Sequence, residues 1–139
     1  MLRIFMSIAG AFALTACWGA PPNEKILNQL CTDTFTGDAE INAVLTAESG
    51  ADIDSFCSCY AATIVAQPNK IDLHKSAVLA IAQVREESDL GAEDAAKKVG
   101  SMIETGEIDG LSEEQLDETG QDFQRVMGSM LDNDGVCPI

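Results

Sequence analysis

Apolar residues recur at spacings of three and four from residue 26 almost to the C-terminus, the period of an amphipathic helix. No stretch alternates polar and apolar residues as a half-buried strand does. Ile26, Leu27, Leu30 and Cys31 fall on one face of a first helix that ends near Gly37. Asp38 is placed to cap a short second helix with Ile41, Val44 and Leu45 inward, closed by Gly50. Asp52 or Asp54 opens a third, with Ile53, Phe56, Cys57, Tyr60 and Ile64 on its apolar face and Pro68-Asn69 as its breaker. A fourth helix carries Leu73, Ala77, Ala80, Ile81 and Val84 inward and runs to about Ser88. A fifth follows Gly91 with Ala92, Ala95, Ala96, Val99, Met102 and Ile103 in one stripe. Ser112 and Gln115 have the spacing of a capping box, which predicts a last helix over 113–131 with Leu116, Phe123, Val126, Met127, Met130 and Leu131 buried. Gly120 and Gly128 lie inside it, each about 1 kcal/mol less favourable there than Ala. The pattern predicts an all-α fold, a compact bundle of five or six short helices. Many inward positions are Ala, Val or Ile and aromatics are few, which predicts a thin core.

The N-terminus has a different pattern. Met1-Leu2-Arg3 precedes an apolar run over residues 4–14, the length of a signal-sequence core and too short to cross a bilayer. Leu14-Thr15-Ala16-Cys17 then resembles the lipobox of bacterial lipoprotein precursors. The resemblance implies cleavage before Cys17, a diacylglyceryl thioether on its sulfur and an acyl chain on its new amine. Two or three chains anchor firmly, since each buried methylene contributes about 0.8 kcal/mol. Trp18 stands where Asp resembles an inner-membrane retention signal in enteric-type bacteria, so the outer membrane is favoured over the inner. The expected organisation is a signal peptide over 1–16, a lipid-anchored tether over 17–22 and one acidic helical domain over 23–139. The tether would hold the domain within about 15–20 Å of the bilayer.

Charge narrows the partners. The chain has 23 acidic residues against 8 Lys and Arg, a formal charge of −15. A surface of that sign disfavours nucleic acid and anionic lipid headgroups. Residues 86–122 concentrate 13 of the acids against Lys97 and Lys98 alone. A solvated face accounts for such a window. It is also a candidate docking surface for a basic protein partner, through Glu86, Glu87, Glu113, Glu114, Asp117 and Glu118.

With Cys17 lipidated, Cys31, Cys57, Cys59 and Cys137 remain, an even number in a chain read as exported, which predicts two disulfides. Residues two apart on a helix point about 200° from one another, so Cys57 and Cys59 should reach different elements. Cys57 falls on the apolar face and Cys59 on the flank. The preferred arrangement joins Cys31 to Cys57 and Cys59 to Cys137, and exchange of Cys57 with Cys59 stays open. An aromatic followed by Cys-x-Cys on an amphipathic helix is similar to small uncharacterised exported proteins of proteobacteria over 56–84. That resemblance implies no activity.

Other chemistry is sparse. Redox pairs ordinarily use Cys-x-x-Cys at a helix N-terminus, unlike Cys57-Ser58-Cys59. The turns around Gly110 and Gly135 fail the register of a calcium loop, and no metal or other cofactor is expected. His74, the sole histidine, sits beside Lys70 and Lys75 in a first turn and reads as a surface residue. Nucleophile elbows and phosphate-cradling loops are absent from the sequence. The expected role is that of a membrane-anchored cell-envelope lipoprotein, a non-enzymatic protein-binding or accessory module. The alternatives are an inhibitor or immunity-type protein against a basic partner, and a thiol-redox protein using Cys57 and Cys59.

Overall fold

The computed structural model describes residues 21–138. The expected signal peptide, the lipobox-like stretch with Cys17 and the expected tether up to residue 20 lie outside them. The described residues form an all-α bundle in the order α1 (Pro22–Phe35), α2 (Ala39–Ser49), α3 (Ile53–Val65), α4 (Ile71–Ser88), α5 (Ala92–Glu104) and α6 (Glu113–Leu131), with a 3-10 turn at Pro68–Lys70 before α4. None of these helices is long and apolar enough to cross a membrane.

The caps follow local chemistry. The Asp38 carboxylate accepts the Ile41 N–H at 3.1 Å to start α2, and Asp52 accepts the Ser55 N–H at 2.8 Å to start α3. At α6 the capping box is complete. Ser112 Oγ accepts from the Gln115 N–H at 3.2 Å, and Gln115 Oε1 accepts from the Ser112 N–H at 2.9 Å. Gly50 closes α2 in the left-handed region at φ 69°.

Two apolar clusters share α4. The larger gathers Leu27, Phe35, Leu45, Phe56, Tyr60 and Phe123 from α1, α2, α3 and α6, and receives Val78 from α4. The smaller joins Ala77, Ile81 and Val84 of α4 to Ala95 and Val99 of α5 and to Leu111. The larger cluster corrects the expectation of a thin core. Its aromatics are few but adjacent: Phe123 stacks on Tyr60 with centroids 4.1 Å apart and meets Phe35 edge-on at 5.0 Å.

The helix faces differ from expectation at several places, and Leu116, Met127 and Leu131 of α6 are only partly buried. Ile26 is 42% exposed, because the buried stripe of α1 is centred on Leu27, Cys31, Thr34 and Phe35. Thr34 takes an inward place since its hydroxyl donates to the Leu30 carbonyl at 2.8 Å. Cys59 is buried rather than on an open flank, because the C-terminal tail folds back over it. A Cβ at Gly120 or Gly128 would meet nothing within 4 Å, so neither glycine mediates a close helix approach.

Long-range polar contacts fix the connections. Arg85 on α4 donates through its Nη1 to the Thr34 and Thr36 carbonyls, each at 2.7 Å, and so ties down the free C-terminal end of α1. The second oxygen of Asp38 accepts the Ala92 N–H at 2.8 Å, so one carboxylate caps both α2 and α5.

Candidate functional site

The four cysteines form two disulfides, Cys31–Cys57 and Cys59–Cys137, with Cα–Cα distances of 5.5 Å in both. The first staples α1 to α3 and the second ties the tail to α3. Positions two apart on α3 thus serve different elements, as opposed faces of a helix require. Cys57 is fully buried and Cys59 nearly so. A thiol-exchange site needs an accessible sulfur for the attacking thiolate, and neither position offers one.

The tail reaches Cys59 through a glycine. Gly135 has φ 79°, and a Cβ there would stand 2.9 Å from the Ser49 carbonyl oxygen and 3.2 Å from the Ala51 side chain. Its N–H closes the end of α6 on the Met130 carbonyl at 2.8 Å.

His74 departs most from the sequence reading. It is 0% exposed, not a surface residue. Burial places it in register with Ala77, Val78 and Ile81 on the inward face of α4, where α3 and α6 each supply a partner. The Tyr60 hydroxyl lies 2.6 Å from its Nδ1, and Asp122 Oδ2 lies 3.0 Å from its Nε2. The carboxylate accepts, so the neutral ring carries its proton on Nε2 and Nδ1 accepts from the tyrosine. Lys70 Nζ donates to the same Asp122 oxygen at 2.8 Å and pairs with Glu118 at 2.9 Å, while Arg125 pairs with Asp122 Oδ1.

The protonation states follow from these contacts. Burial lowers the His74 pKa, and it stays lowered although the Asp122 charge pulls the other way. Burial disfavours the Asp122 carboxylate, but Lys70, Arg125 and His74 outweigh it and hold the group below its ordinary value. Tyr60 is pushed well up, by burial first and then by the Asp122 charge. The line Tyr60–His74–Asp122 has the connectivity of a catalytic relay. Its members are 0%, 0% and 2% exposed, so no substrate reaches them as they stand. Every buried side-chain polar atom of the described residues has a partner. The arrangement is a satisfied polar bolt joining α3, α4 and α6.

Sequence reasoning missed Asp122 by counting it with the solvated acids. The signal was its register. Thr119, Asp122, Phe123, Val126 and Met130 form one stripe at spacings of three and four, and all are buried. His74 carried the same signal on α4.

The six acids singled out from the sequence do not share one depression. Glu118 is paired with Lys70. Glu86 lines a hollow beside Leu30, Asp33 and Leu79. Glu87 and Glu114 are exposed and line neither that hollow nor the groove described next. Glu113 and Asp117 border a groove of about 880 Å³ between α5 and α6. Its floor holds Ala96, Gly100, Leu116, Phe123 and Met127, and Glu93, Lys97 and Glu104 complete its rim. The groove exists because α5 gives Ala95 and Val99 to α4, leaving the Ala96–Gly100 side turned toward α6 without a large side chain to fill the gap. Glu104 raises the Glu113 pKa by its charge, so two carboxylates stand close together where α5 and α6 approach each other. Comparison with protein-family models, curated proteins and solved structures found no match to this chain.

Proposed function

We propose that the chain is a lipid-anchored protein of the bacterial cell envelope whose stapled helical domain is a non-enzymatic protein-binding module. The observation that carries this reading is the pair of long-range disulfides. They consume all four cysteines outside the lipobox and suit a compartment where disulfides persist. The lipobox at Leu14-Thr15-Ala16-Cys17 supports the anchor. The burial of Cys57 and Cys59 in separate bridges argues against the thiol-redox alternative. The burial of Tyr60, His74 and Asp122 likewise argues against a relay acting on a substrate.

Fractionation tests the anchor. The wild-type chain should sediment with the membranes, and Cys17→Ser should leave them. If both partition alike, the lipid reading is wrong. Counting thiols tests the binding-module assignment against redox chemistry. The native protein should show no titratable thiol, and mild reductant that readily frees Cys57 or Cys59 would favour the redox reading.

A further inference from the structure

We propose that the groove between α5 and α6 is the docking site for a basic amphipathic helix of a partner protein. The groove follows one face of α5 from Ala92 to Glu104, and 13 residues at 1.5 Å each give a trough of about 20 Å. That is the length of three to four turns of a docked helix, whose apolar side chains at i, i+3, i+4 and i+7 would meet the floor. Ala96, Gly100 and Gly120 leave room for them. The rim supplies the sign. Glu93, Glu104, Glu113 and Asp117 stand against one cation, Lys97, which is already paired with Glu93 and Asp94. Lys or Arg residues flanking an apolar stripe complement that arrangement, and one placed between Glu104 and Glu113 would relieve their mutual repulsion. A second copy of the chain brings a charge of −15 to the same rim. Residues 1–20 bring only Arg3 as a side-chain cation. Both suit it less well.

The proposal rests on the binding-module reading, but its test is independent of the lipid. Failure of peptide binding leaves the Cys17 anchor standing, and an unlipidated Cys17 leaves the groove standing. The probe is a labelled Leu/Lys amphipathic helical peptide of about 18 residues, titrated onto the full chain with both disulfides formed. Saturable binding is expected, with amide shifts in α5 and α6 and at Thr34, Phe35 and Ile41, which also line the groove. Neutralising the rim by Glu104→Gln, Glu113→Gln and Asp117→Asn together should weaken binding by about tenfold or more. Neutralising three exposed acids outside the groove, Glu48→Gln, Glu86→Gln and Glu87→Gln, should change it less than about twofold, the effect of screened distant charge. Ala96→Leu, which fills the floor without altering charge, should also weaken it. Equal loss in both charge variants would reduce the effect to general attraction and overturn the proposal. So would absence of binding, equal affinity for a Leu/Glu peptide, or tighter binding by a synthetic peptide of residues 1–20. Self-association abolished by Ala96→Leu would assign the groove to a second copy instead.

Discussion

His74 shows how a few side chains decide the interior. A lone histidine between two lysines would be exposed if only its neighbours in sequence mattered. It is buried because Tyr60 and Asp122, 14 and 48 residues away, satisfy both ring nitrogens. Removing Asp122 leaves the buried His74 Nε2 without its acceptor, and removing His74 strips both Tyr60 and Asp122 of a buried partner. We expect Asp122→Ala to lower unfolding stability by about 2–4 kcal/mol in denaturant titration, and His74→Ala by a similar amount. The loss should exceed that of Asp117→Ala, an exposed acid on the same helix. A pH profile gives a second check. The pKa of His74 is lowered in the folded protein from an ordinary 6.5, so the unfolded chain takes up its proton first. Its contribution is complete above about pH 6.5 and is lost as pH falls below that. Asp122, lowered from 3.8, adds a second loss under more acidic conditions. Tyr60, raised above 10.0, places the opposite loss on the alkaline side, as the unfolded chain ionises first. Stability measured from pH 3 to pH 8 should therefore rise with pH, and in His74→Gln the step near neutrality should vanish. A profile flat from pH 5 to pH 8 in the wild type would contradict the buried neutral histidine.

At the scale of elements, most of the architecture is legible in spacing. Asp38, Asp52 and Ser112 announce helix starts because a side-chain oxygen there satisfies backbone N–H groups that the helix cannot. The apolar stripes announce faces because burial follows the helical period. What spacing does not contain is which stripe meets which, and so neither the polar bolt nor the groove is readable from it. Asp122 was misplaced because acidic composition outweighed register, and Ile26 because four adjacent apolar residues make a stripe broader than the face α1 buries. Glycines separate local from tertiary demands. Gly128→Ala should raise stability by about 0.5–1 kcal/mol, since the position is helical and open and Ala loses less backbone entropy. Gly135→Ala should do the reverse, because the left-handed φ and the nearby Ser49 carbonyl both oppose a Cβ. Thermal unfolding of the two variants should move the midpoint in opposite directions.

Over the whole molecule, the disulfides enclose sequence separations of 26 and 78 residues, and on the chain-entropy account each contributes about 3–5 kcal/mol. The Cys59→Ala, Cys137→Ala double variant should lose that much stability while keeping its helical circular dichroism, because the helices and the aromatic cluster do not depend on the tail. Neither bridge includes a residue of α5 or α6, the two helices that flank the groove. Acidic side chains of this region thus stand in two settings. Glu118 and Asp122 hold Lys70, while Glu93, Glu104, Glu113 and Asp117 edge an apolar trough.

Mass spectrometry of peptides from protein purified out of its own membranes is the decisive test of the proposed exported, lipid-anchored and doubly stapled domain. The expected result is an N-terminal Cys17 carrying diacylglyceryl and acyl mass, together with linked peptides joining Cys31 to Cys57 and Cys59 to Cys137. An unmodified Cys17 within a longer peptide, or free thiols at Cys57 and Cys59, would contradict it.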